Sequence, residues 1–144
     1  MKKLVVCFVI NEFSFFMSHR IQLATMLSKH FKVAVLTDLS GVNSQTKNSV
    51  NSDKISLIDV KKRSGSLIFK NYLRYFLDLR KAINQLNPDF ILYVSLETCL
   101  FGIFIKLLTR AKKSLFLITG RGSSYTYKTL KSKIIRLIYF IAFS

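Results

Sequence analysis

A turn in the last quarter of the chain combines residue types that can bind a phosphate group. Residues 119–124 read Thr-Gly-Arg-Gly-Ser-Ser, follow an apolar segment and precede a helical pattern. Glycine lets the backbone approach a ligand closely, and free N–H groups at the start of a helix attract anions. A lone G-x-G is a weak signal, so a flexible connection between a strand and a helix is the alternative. The predicted substrate-binding residues of this turn are Gly120, Arg121, Gly122 and Ser123.

Polar side chains also follow the first apolar segment, which ends at Ile10. Asn11 and Ser14 would lie at the carboxyl end of a strand, where parallel α/β sheets bind their ligands, and we predict that both contact a substrate. His19 is a further candidate for substrate binding, although its place one turn inside a helix favours a structural role in packing or hydrogen bonding. Glu97 begins a later helix; stabilisation by the helix dipole accounts for it, and a role in the site is the alternative.

The two cysteines do not indicate a metal or redox site. Cys7 and Cys99 lie in apolar segments, and no C-x-x-C pair is present. No group of cysteines and histidines has the spacing of a metal site. We predict that both cysteines are buried and reduced. No catalytic side chain, metal ion or cofactor is predicted.

The charge of the chain limits the class of its partners. Its 144 residues fit one domain, and half of them are hydrophobic, which is enough for a buried core. The 23 Lys and Arg against 7 Asp and Glu give a net charge of +16. Such a field attracts polyanions: nucleic acid, anionic lipid headgroups or phosphorylated substrates. Residues 128–144 combine an apolar helical stripe with basic residues, which predicts attachment to an anionic membrane surface; a core-facing helix with a solvated outer face is the alternative.

Apolar segments of two periodicities alternate along the chain. Continuous β-favouring segments predict strands, and apolar residues repeating every three to four positions predict helices. The predicted strands are residues 4–10, 33–37, 55–60, 90–94 and 114–118. The predicted helices are residues 16–30, 67–86, 96–109 and 128–144, with a loop over residues 38–54. This order predicts an α/β fold: one Rossmann-like three-layer domain over residues 1–144, with a parallel sheet of about five strands.

Two of the predicted helices carry an apolar stripe that should face the sheet. A helix of this kind buries its stripe and leaves the opposite face to solvent. The stripe of the first helix is Ile21, Leu23, Ala24 and Leu27. The stripe of the second is Tyr72, Leu73, Phe76, Leu79, Ile83 and Leu86.

Two apolar segments imitate membrane signals, but we interpret the first as a strand and the second as a strand followed by a helix. Two lysines followed by residues 4–10 imitate a signal peptide, but Asn11 interrupts the segment and no small-residue cleavage site follows closely. Residues 90–108 are apolar enough to suggest a transmembrane helix. Because Glu97 and Lys106 interrupt them, and charges inside a span are costly, we predict a strand and a helix instead.

Short motifs along the chain resemble the family 4 glycosyltransferases of bacterial polysaccharide synthesis. Residues 15–20 read Phe-Phe-Met-Ser-His-Arg, similar to the family's F-hydrophobic-x-S-H-R helix entry, and a V-x-V-x-T strand follows over residues 33–37. Residues 87–90 read Asn-Pro-Asp-Phe, where the family has P-D-hydrophobic. Residues 119–122 are similar to the family's T-G-x-G turn after the fifth strand. The order and spacing of these motifs indicate more than any one motif alone.

This resemblance implies half of a GT-B fold, in which two Rossmann-like domains face each other across a cleft. The chain would be the first domain, which binds a glycan acceptor, commonly lipid-linked. Nothing in the sequence resembles the second domain, which binds the nucleotide-sugar donor, and the chain ends inside an apolar helical pattern. The resemblance therefore implies a truncated glycosyltransferase domain, inactive unless a separate C-terminal chain supplies the other half. It would be cytoplasmic and peripheral at the inner face of the cell membrane.

Two other classes of function stay open at this point. Charge alone favours a basic nucleic-acid-binding module, but its recognition motifs are missing, so no nucleic-acid partner is predicted. Residues 90–108 favour a small membrane-associated protein without catalysis. The sequence also departs from the family pattern in residues 11–16, where many relatives place a glycine against the donor phosphate. Acceptor contact is the remaining role for Asn11 and Ser14.

Overall fold

A computed structural model describes residues 3–50, 54–62, 68–108 and 113–117 of the chain. The strands are β1 (Val5–Glu12), β2 (Lys32–Asp38), β3 (Ile55–Asp59), β4 (Phe90–Val94) and β5 (Lys113–Leu117). The helices are α1 (Phe13–His19), α2 (Ile21–Ser28), α3 (Ser44–Val50), α4 (Ile68–Leu86) and α5 (Leu96–Leu108). The predicted turn at 119–124 and the predicted last helix lie outside the described residues.

The strands form one parallel sheet in the order β3-β2-β1-β4-β5. Cys7 of β1, for example, lies opposite both Ala34 of β2 and Ile91 of β4. The chain moves outwards from β1 to β3 and then crosses back to β4, so the strand order reverses between β1 and β4. In open α/β sheets the crevice at such a reversal, outside the carboxyl ends of the strands, is the usual ligand site.

β1 is buried on both faces, so its side chains alternate between two cores. Phe8 packs on one side with Phe16 of α1, and this core also receives α2 and α3. Val9 packs on the other side with Leu79 of α4 and Ile105 of α5. A strand covered on both faces needs a continuous apolar sequence, which β1 has. The predicted α/β, Rossmann-like, three-layer domain with five parallel strands is confirmed.

Both cysteines are free and buried, as predicted. Burial raises the pKa of Cys99 to about 12, although a hydrogen bond from the Leu117 backbone opposes the shift. Burial also raises the pKa of Cys7 well above its ordinary value. Neither thiol forms a reactive thiolate near neutral pH, so both act as small hydrophobic side chains of the core.

The single helix predicted over residues 16–30 is wrong, because the structure has two helices that meet at Arg20. The φ of −127° and ψ of −12° at Arg20 lie outside helical geometry. α1 begins earlier than predicted, since Phe13 is buried in the same core as the rest of the helix. The apolar stripe predicted for this region is only partly buried in α2: Ala24 is buried, but Leu23 is 38% exposed.

The stretch predicted as a loop over residues 38–54 contains a helix, α3. Asn43 Oδ1 accepts the N–H of Thr46 at 2.7 Å, and such a cap satisfies a free donor in the first turn. Val50 at the other end is buried in the core. The helix sequence, Ser-Gln-Thr-Lys-Asn-Ser-Val, lacks the apolar repeat that predicts a helix, so one cap and one core contact hold it in place.

The buried stripe of α4 differs from the predicted one at its amino-terminal end. Tyr75, Leu79 and Ile83, spaced by one helical turn, are buried against the sheet. Leu73 is 49% exposed, because residues two apart on a helix point about 200° away from each other and Tyr75 takes the core position. Tyr72 is 39% exposed and lies beside Phe101 of α5, so only the later part of the predicted stripe is right.

α5 lies very close to the sheet where it crosses β4. A Cβ atom on Gly102 would lie 2.6 Å from Cγ of the buried Tyr93, closer than two carbon atoms can approach. α5 has 13 residues, and none of the described helices is both long and apolar enough to cross a bilayer. The segment 90–108 is therefore a strand and a helix, as predicted.

The Pro-Asp motif at the start of β4 has a structural role. Asp89 Oδ2 accepts the N–H of Val5 at 3.0 Å, and the Asp89 N–H donates to the Val5 carbonyl at 2.9 Å. These bonds fasten the start of β1 to β4. They fix the register of the two central strands, whose other ends form the crevice.

Candidate functional site at the carboxyl edge of the sheet

Three side chains from distant parts of the chain meet at the crevice between β1 and β4. Asn11, near the end of β1, donates from Nδ2 to Oε2 of Glu97 at 2.6 Å. Lys62, which follows β3, donates from Nζ to the same oxygen at 2.6 Å. Glu97 itself lies in the first turn of α5. We refer to Asn11, Lys62 and Glu97 as the Glu97 cluster.

The Glu97 cluster contains two hydrogen-bond acceptors that the described residues do not use. Glu97 Oε1 and Asn11 Oδ1 are both buried, and neither has a partner within the described part of the chain. The orientation of the Asn11 amide follows from chemistry, because a carboxylate can only accept and Nδ2 must face it. The free atom is therefore the carbonyl oxygen. Buried acceptors without partners are uncommon in folded proteins and indicate a place for a ligand or water.

The backbone around the cluster is shaped so that these side chains can meet. The pairing of β1 with β2 shifts register between Val9 and Glu12, and Asn11 lies within this irregular stretch. Ser95, between β4 and α5, has a φ of 102°, a left-handed value that costs about 1–3 kcal/mol in a residue with a side chain. The strained turn lets α5 begin at once, which places Glu97 over the crevice.

The hydroxyl of Thr98 stabilises that turn. Thr98 Oγ1 donates to the Val94 carbonyl at 2.8 Å and lies 3.1 Å from Ser95 Oγ. Ser95 Oγ in turn lies 3.5 Å from the Thr98 backbone nitrogen, the position of a helix cap. Ser95 therefore occupies the cap position of α5, at a long distance.

Asp38, the last residue of β2, holds Lys62 in place through its backbone. Asp38 Oδ2 accepts the Lys62 N–H at 3.0 Å, and Oδ1 accepts the Ser40 N–H at 2.8 Å. Partial burial raises the pKa of Asp38, but these hydrogen bonds and the charge of Lys61 outweigh it, so the pKa lies below its ordinary value. Asp38 is therefore a carboxylate throughout the physiological pH range.

The ion pair between Lys62 and Glu97 is partly open to solvent. The side chains are 38% and 24% exposed, respectively. Partial burial lowers the pKa of Lys62, but the hydrogen bond and negative charge of Glu97 raise it more, so the ammonium form is stabilised. The Lys62 ammonium also lies 5.9 Å from the ring centre of Tyr72. Behind the pair, burial and then the charges of Glu97 and Asp38 raise the pKa of Tyr75 far above its ordinary value.

Of the predicted site residues that the structure describes, Asn11 belongs to the Glu97 cluster, and Ser14 and His19 lie outside it. Asn11 is half-buried within the Glu97 cluster, whereas Ser14 is exposed in the first turn of α1, and no hydrogen bond among the described residues joins it to the cluster. His19 lies exposed at the far end of α1, stacked on Phe15 with ring centres 4.5 Å apart and 2.6 Å from Ser18 Oγ. Substrate contact by Ser14 and His19 stays a prediction. The predicted phosphate turn, Gly120, Arg121, Gly122 and Ser123, lies outside the described residues.

Lys62 is the member of the cluster that sequence reasoning missed. It belongs to a run of basic residues that is typical of a linker, and its partner lies 35 positions away. The available signal was Glu97 itself. A carboxylate near a strand end in a strongly basic chain is expected to pair with a lysine or arginine. Among the described residues no group of three or more His, Cys, Asp or Glu could hold a metal ion.

Comparisons with solved structures agree with this fold. The chain superposes on a candidate UDP-N-acetylglucosamine 2-epimerase from Listeria monocytogenes at 14% identity and a TM-score of 0.63, over 98% of this chain and 37% of the other. It also superposes on the calicheamicin glycosyltransferase (13%, TM-score 0.55, 95% and 36% covered) and on SnogD, a glycosyltransferase from Streptomyces nogalater (10%, 0.51, 91% and 48%). At these identities the likeness shows the fold alone.

The chain spans about two-fifths of the length of the solved structures it matches, from 36% to 48%. No curated protein sequence matches it significantly. The sequence model of the glycosyl transferase 4-like family, however, matches residues 5–144, which is nearly the whole chain. Together with the parallel sheet and its ligand crevice, this match shows that the chain belongs to the glycosyl transferase 4-like family.

Proposed function

We propose that the chain forms the acceptor-binding half of a glycosyltransferase that transfers a sugar from a nucleotide-sugar to a glycan acceptor in bacterial surface polysaccharide synthesis. The observation that carries the proposal is the Glu97 cluster, a polar group at the strand-order reversal of a glycosyl transferase 4-like domain. Sugar transfer requires an acceptor hydroxyl held close to the anomeric carbon of the donor. A fixed set of polar side chains at this crevice suits that task.

We assign the donor to another domain. For the departing phosphate we retain the sequence prediction for residues 119–124, whose residue types suit an anion and which lie outside the described residues. A nucleotide-sugar domain, on the same polypeptide or on a separate chain, provides the opposite wall of the cleft. In this account the 144 residues alone transfer no sugar, and a nucleotide-sugar acts as substrate with no further cofactor.

The outer face of α4 supports attachment to an anionic membrane. Lys70, Arg74 and Lys81 are exposed there, on the same side as Leu73 and Leu77, which are each 49% exposed. Interleaved cations and leucines on one helical face are typical of helices that lie on anionic bilayers. We propose that this face holds the domain at the cytoplasmic side of the cell membrane, where a lipid-linked acceptor is available.

A reconstituted transfer reaction tests the proposed function. The chain is co-expressed with the nucleotide-sugar domain of a glycosyl transferase 4-like relative and incubated with bacterial membranes and radiolabelled nucleotide-sugars. We expect label in the lipid-extractable fraction only when both halves are present. Equal incorporation without the chain, or none with any of the common nucleotide-sugars and both halves present, would contradict the proposal.

A further inference from the structure

We propose that the Glu97 cluster is a subsite for an uncharged ligand that donates hydrogen bonds, namely the hydroxyl groups of a sugar, and that it rejects phosphate. The inference rests on the proposed function and names the part of the substrate that this crevice takes. Its starting point is the polarity of the two free atoms. Glu97 Oε1 and Asn11 Oδ1 are buried acceptors without a partner among the described residues.

Only a donor can complete this site. Because both free atoms accept, a ligand that fills the crevice must present O–H or N–H groups to them. A sugar hydroxyl can donate to Glu97 Oε1 and still accept from Lys62, whose ammonium has donors left after its bond to Glu97. Inorganic phosphate at neutral pH keeps only one or two O–H groups among its four oxygens and is an anion, so it would meet the Glu97 carboxylate less favourably than a neutral sugar does.

The charge at this edge of the sheet also favours a neutral ligand over an anion. Four of the seven acidic residues of the chain lie at this edge: Glu12, Asp38 and Asp59 end β1, β2 and β3, and Glu97 lies in the first turn of α5. In a chain of net charge +16, more than half of the acidic residues are therefore at this edge, beside Lys61 and Lys62. Lys62 neutralises Glu97 by direct contact, which leaves the cluster without net charge. An anionic ligand at the free oxygen of Glu97 would meet that carboxylate directly and be repelled by it, whereas a neutral sugar would not.

The cluster is also held in position before a ligand arrives. The Asp38 carboxylate accepts the Lys62 N–H, and Thr98 fixes the turn that carries Glu97. Asn11 is anchored in the central strand of the sheet. A ligand therefore orders few side chains when it binds, which is the condition under which weak hydroxyl contacts yield measurable affinity.

Binding measured by nuclear magnetic resonance tests the inference on the full chain. Methyl glycosides of glucose, galactose and N-acetylglucosamine are offered at millimolar concentration, and saturation transfer from protein to sugar is recorded. Inorganic phosphate is then added as a competitor, and the loss of saturation transfer to the glycoside is followed. We expect saturation transfer to at least one glycoside and no displacement of that glycoside by phosphate, whether or not phosphate binds elsewhere on the chain.

The variant Glu97→Gln reverses this selectivity. It removes one acceptor oxygen and one negative charge, so glycoside binding should fall at least fivefold while phosphate becomes able to displace the remaining glycoside at the freed Lys62. Glu12→Gln is the matched control: it removes a carboxylate from the same edge, outside the cluster, and should leave glycoside binding unchanged. If Glu97→Gln does not fold, Lys62→Met replaces an exposed side chain and should weaken glycoside binding without admitting phosphate.

Displacement of the glycoside by phosphate on the unaltered chain, or glycoside binding that is absent or indifferent to both cluster variants, would overturn the inference. Such results leave the reconstituted transfer reaction as the separate test of the proposed function. Conversely, glycoside binding as described, combined with a failed transfer reaction, would contradict the proposed function and leave the subsite in place.

Discussion

The two edges of the sheet use their charged residues differently. At the carboxyl edge, Asp38 accepts the backbone N–H of Lys62, and Asp59 accepts the N–H of Leu39 at 3.0 Å. At the amino edge, four exposed lysines begin or precede strands: Lys3, Lys32, Lys54 and Lys113. The carboxylates hold the segments that follow β2 and β3, whereas the lysines of the amino edge are exposed and add positive charge to the surface.

The net charge of +16 describes the chain as a whole, and it does not describe the charge of the ligand crevice. The amino edge and the outer face of α4 contribute exposed cations to the positive field that attracts polyanions. The crevice, by contrast, is built from a neutralised ion pair and unused acceptors. A strongly basic protein can therefore present a ligand site that does not select anions, and total charge alone is a poor guide to what the site binds.

The largest expected effect comes from moving α5, which carries Glu97. Gly102→Ala places a methyl group within 2.6 Å of the buried Tyr93 ring, so the helix must shift away from β4. We expect the free energy of unfolding to fall by about 2–3 kcal/mol, measured by urea denaturation. Asn84→Ala, on the exposed side of α4, is the control and should change it by less than about 0.5 kcal/mol. An unchanged stability in Gly102→Ala would mean that α5 does not lie as close to the sheet as described.

A smaller effect is expected when the neutral balance of the carboxyl edge is broken. Asn11→Asp replaces the donor 2.6 Å from Glu97 with a second carboxylate. Two adjacent carboxylates raise the pKa of at least one of them, so the folded state should lose about 1–2 kcal/mol at neutral pH. A group whose pKa is raised by folding binds its proton more tightly in the folded state, so the loss should be recovered as the pH falls. A loss that is the same at pH 4 and pH 7 would contradict the electrostatic explanation.

Asp38 should make a still smaller, pH-dependent contribution. Its pKa is lowered from 3.8 by folding, so its stabilisation is present above that value and lost as the pH falls through the lower folded pKa. Because the carboxylate is only partly buried and solvent screens it, the contribution should be less than about 1 kcal/mol at neutral pH. Asp38→Asn should therefore flatten the acid side of the stability curve. The alkaline limit should stay, since the pKa of Lys62 is raised and its stabilisation is lost only above 10.5.

The smallest effect is expected at the amino edge. Lys32→Gln removes an exposed charge at the start of β2 and should change the free energy of unfolding by less than about 0.5 kcal/mol. Retention on immobilised heparin should weaken slightly, because one cation is lost from the positive field. Glycoside binding should not change. A change in glycoside binding would mean that the two edges are not independent.

Much of the fold could be predicted because the central strands carry their own signal. β1 and β4 are continuous apolar segments, and their burial on both faces requires that pattern. α3 and the break at Arg20 could not be predicted in this way. α3 depends on the Asn43 cap and the packing of Val50, and the break depends on how Phe13 and Phe16 fit the core. Such features are set by tertiary contacts, which a local periodicity does not record.

The site could be predicted only in part, for a related reason. The ends of the strands were identified from the alternating pattern, which placed Asn11 correctly at the crevice. Lys62 was not found, since its importance arises from a contact with Glu97 across 35 positions. Stabilisation by the helix dipole accounted for Glu97 in the sequence. That explanation applies to an acidic residue in the first turn of any helix, so it does not single out a site residue. Polar clusters assembled from distant residues need the topology before their members can be recognised.

The kinetics of the reconstituted enzyme test the central claim most directly. Glu97→Gln should raise the KM for the glycan acceptor about tenfold, equivalent to about 1.4 kcal/mol of binding, while the KM for the nucleotide-sugar stays unchanged. This split is expected because the Glu97 cluster contacts the acceptor and the donor lies on the opposite wall of the cleft. A raised KM for the nucleotide-sugar with an unchanged KM for the acceptor would contradict the account.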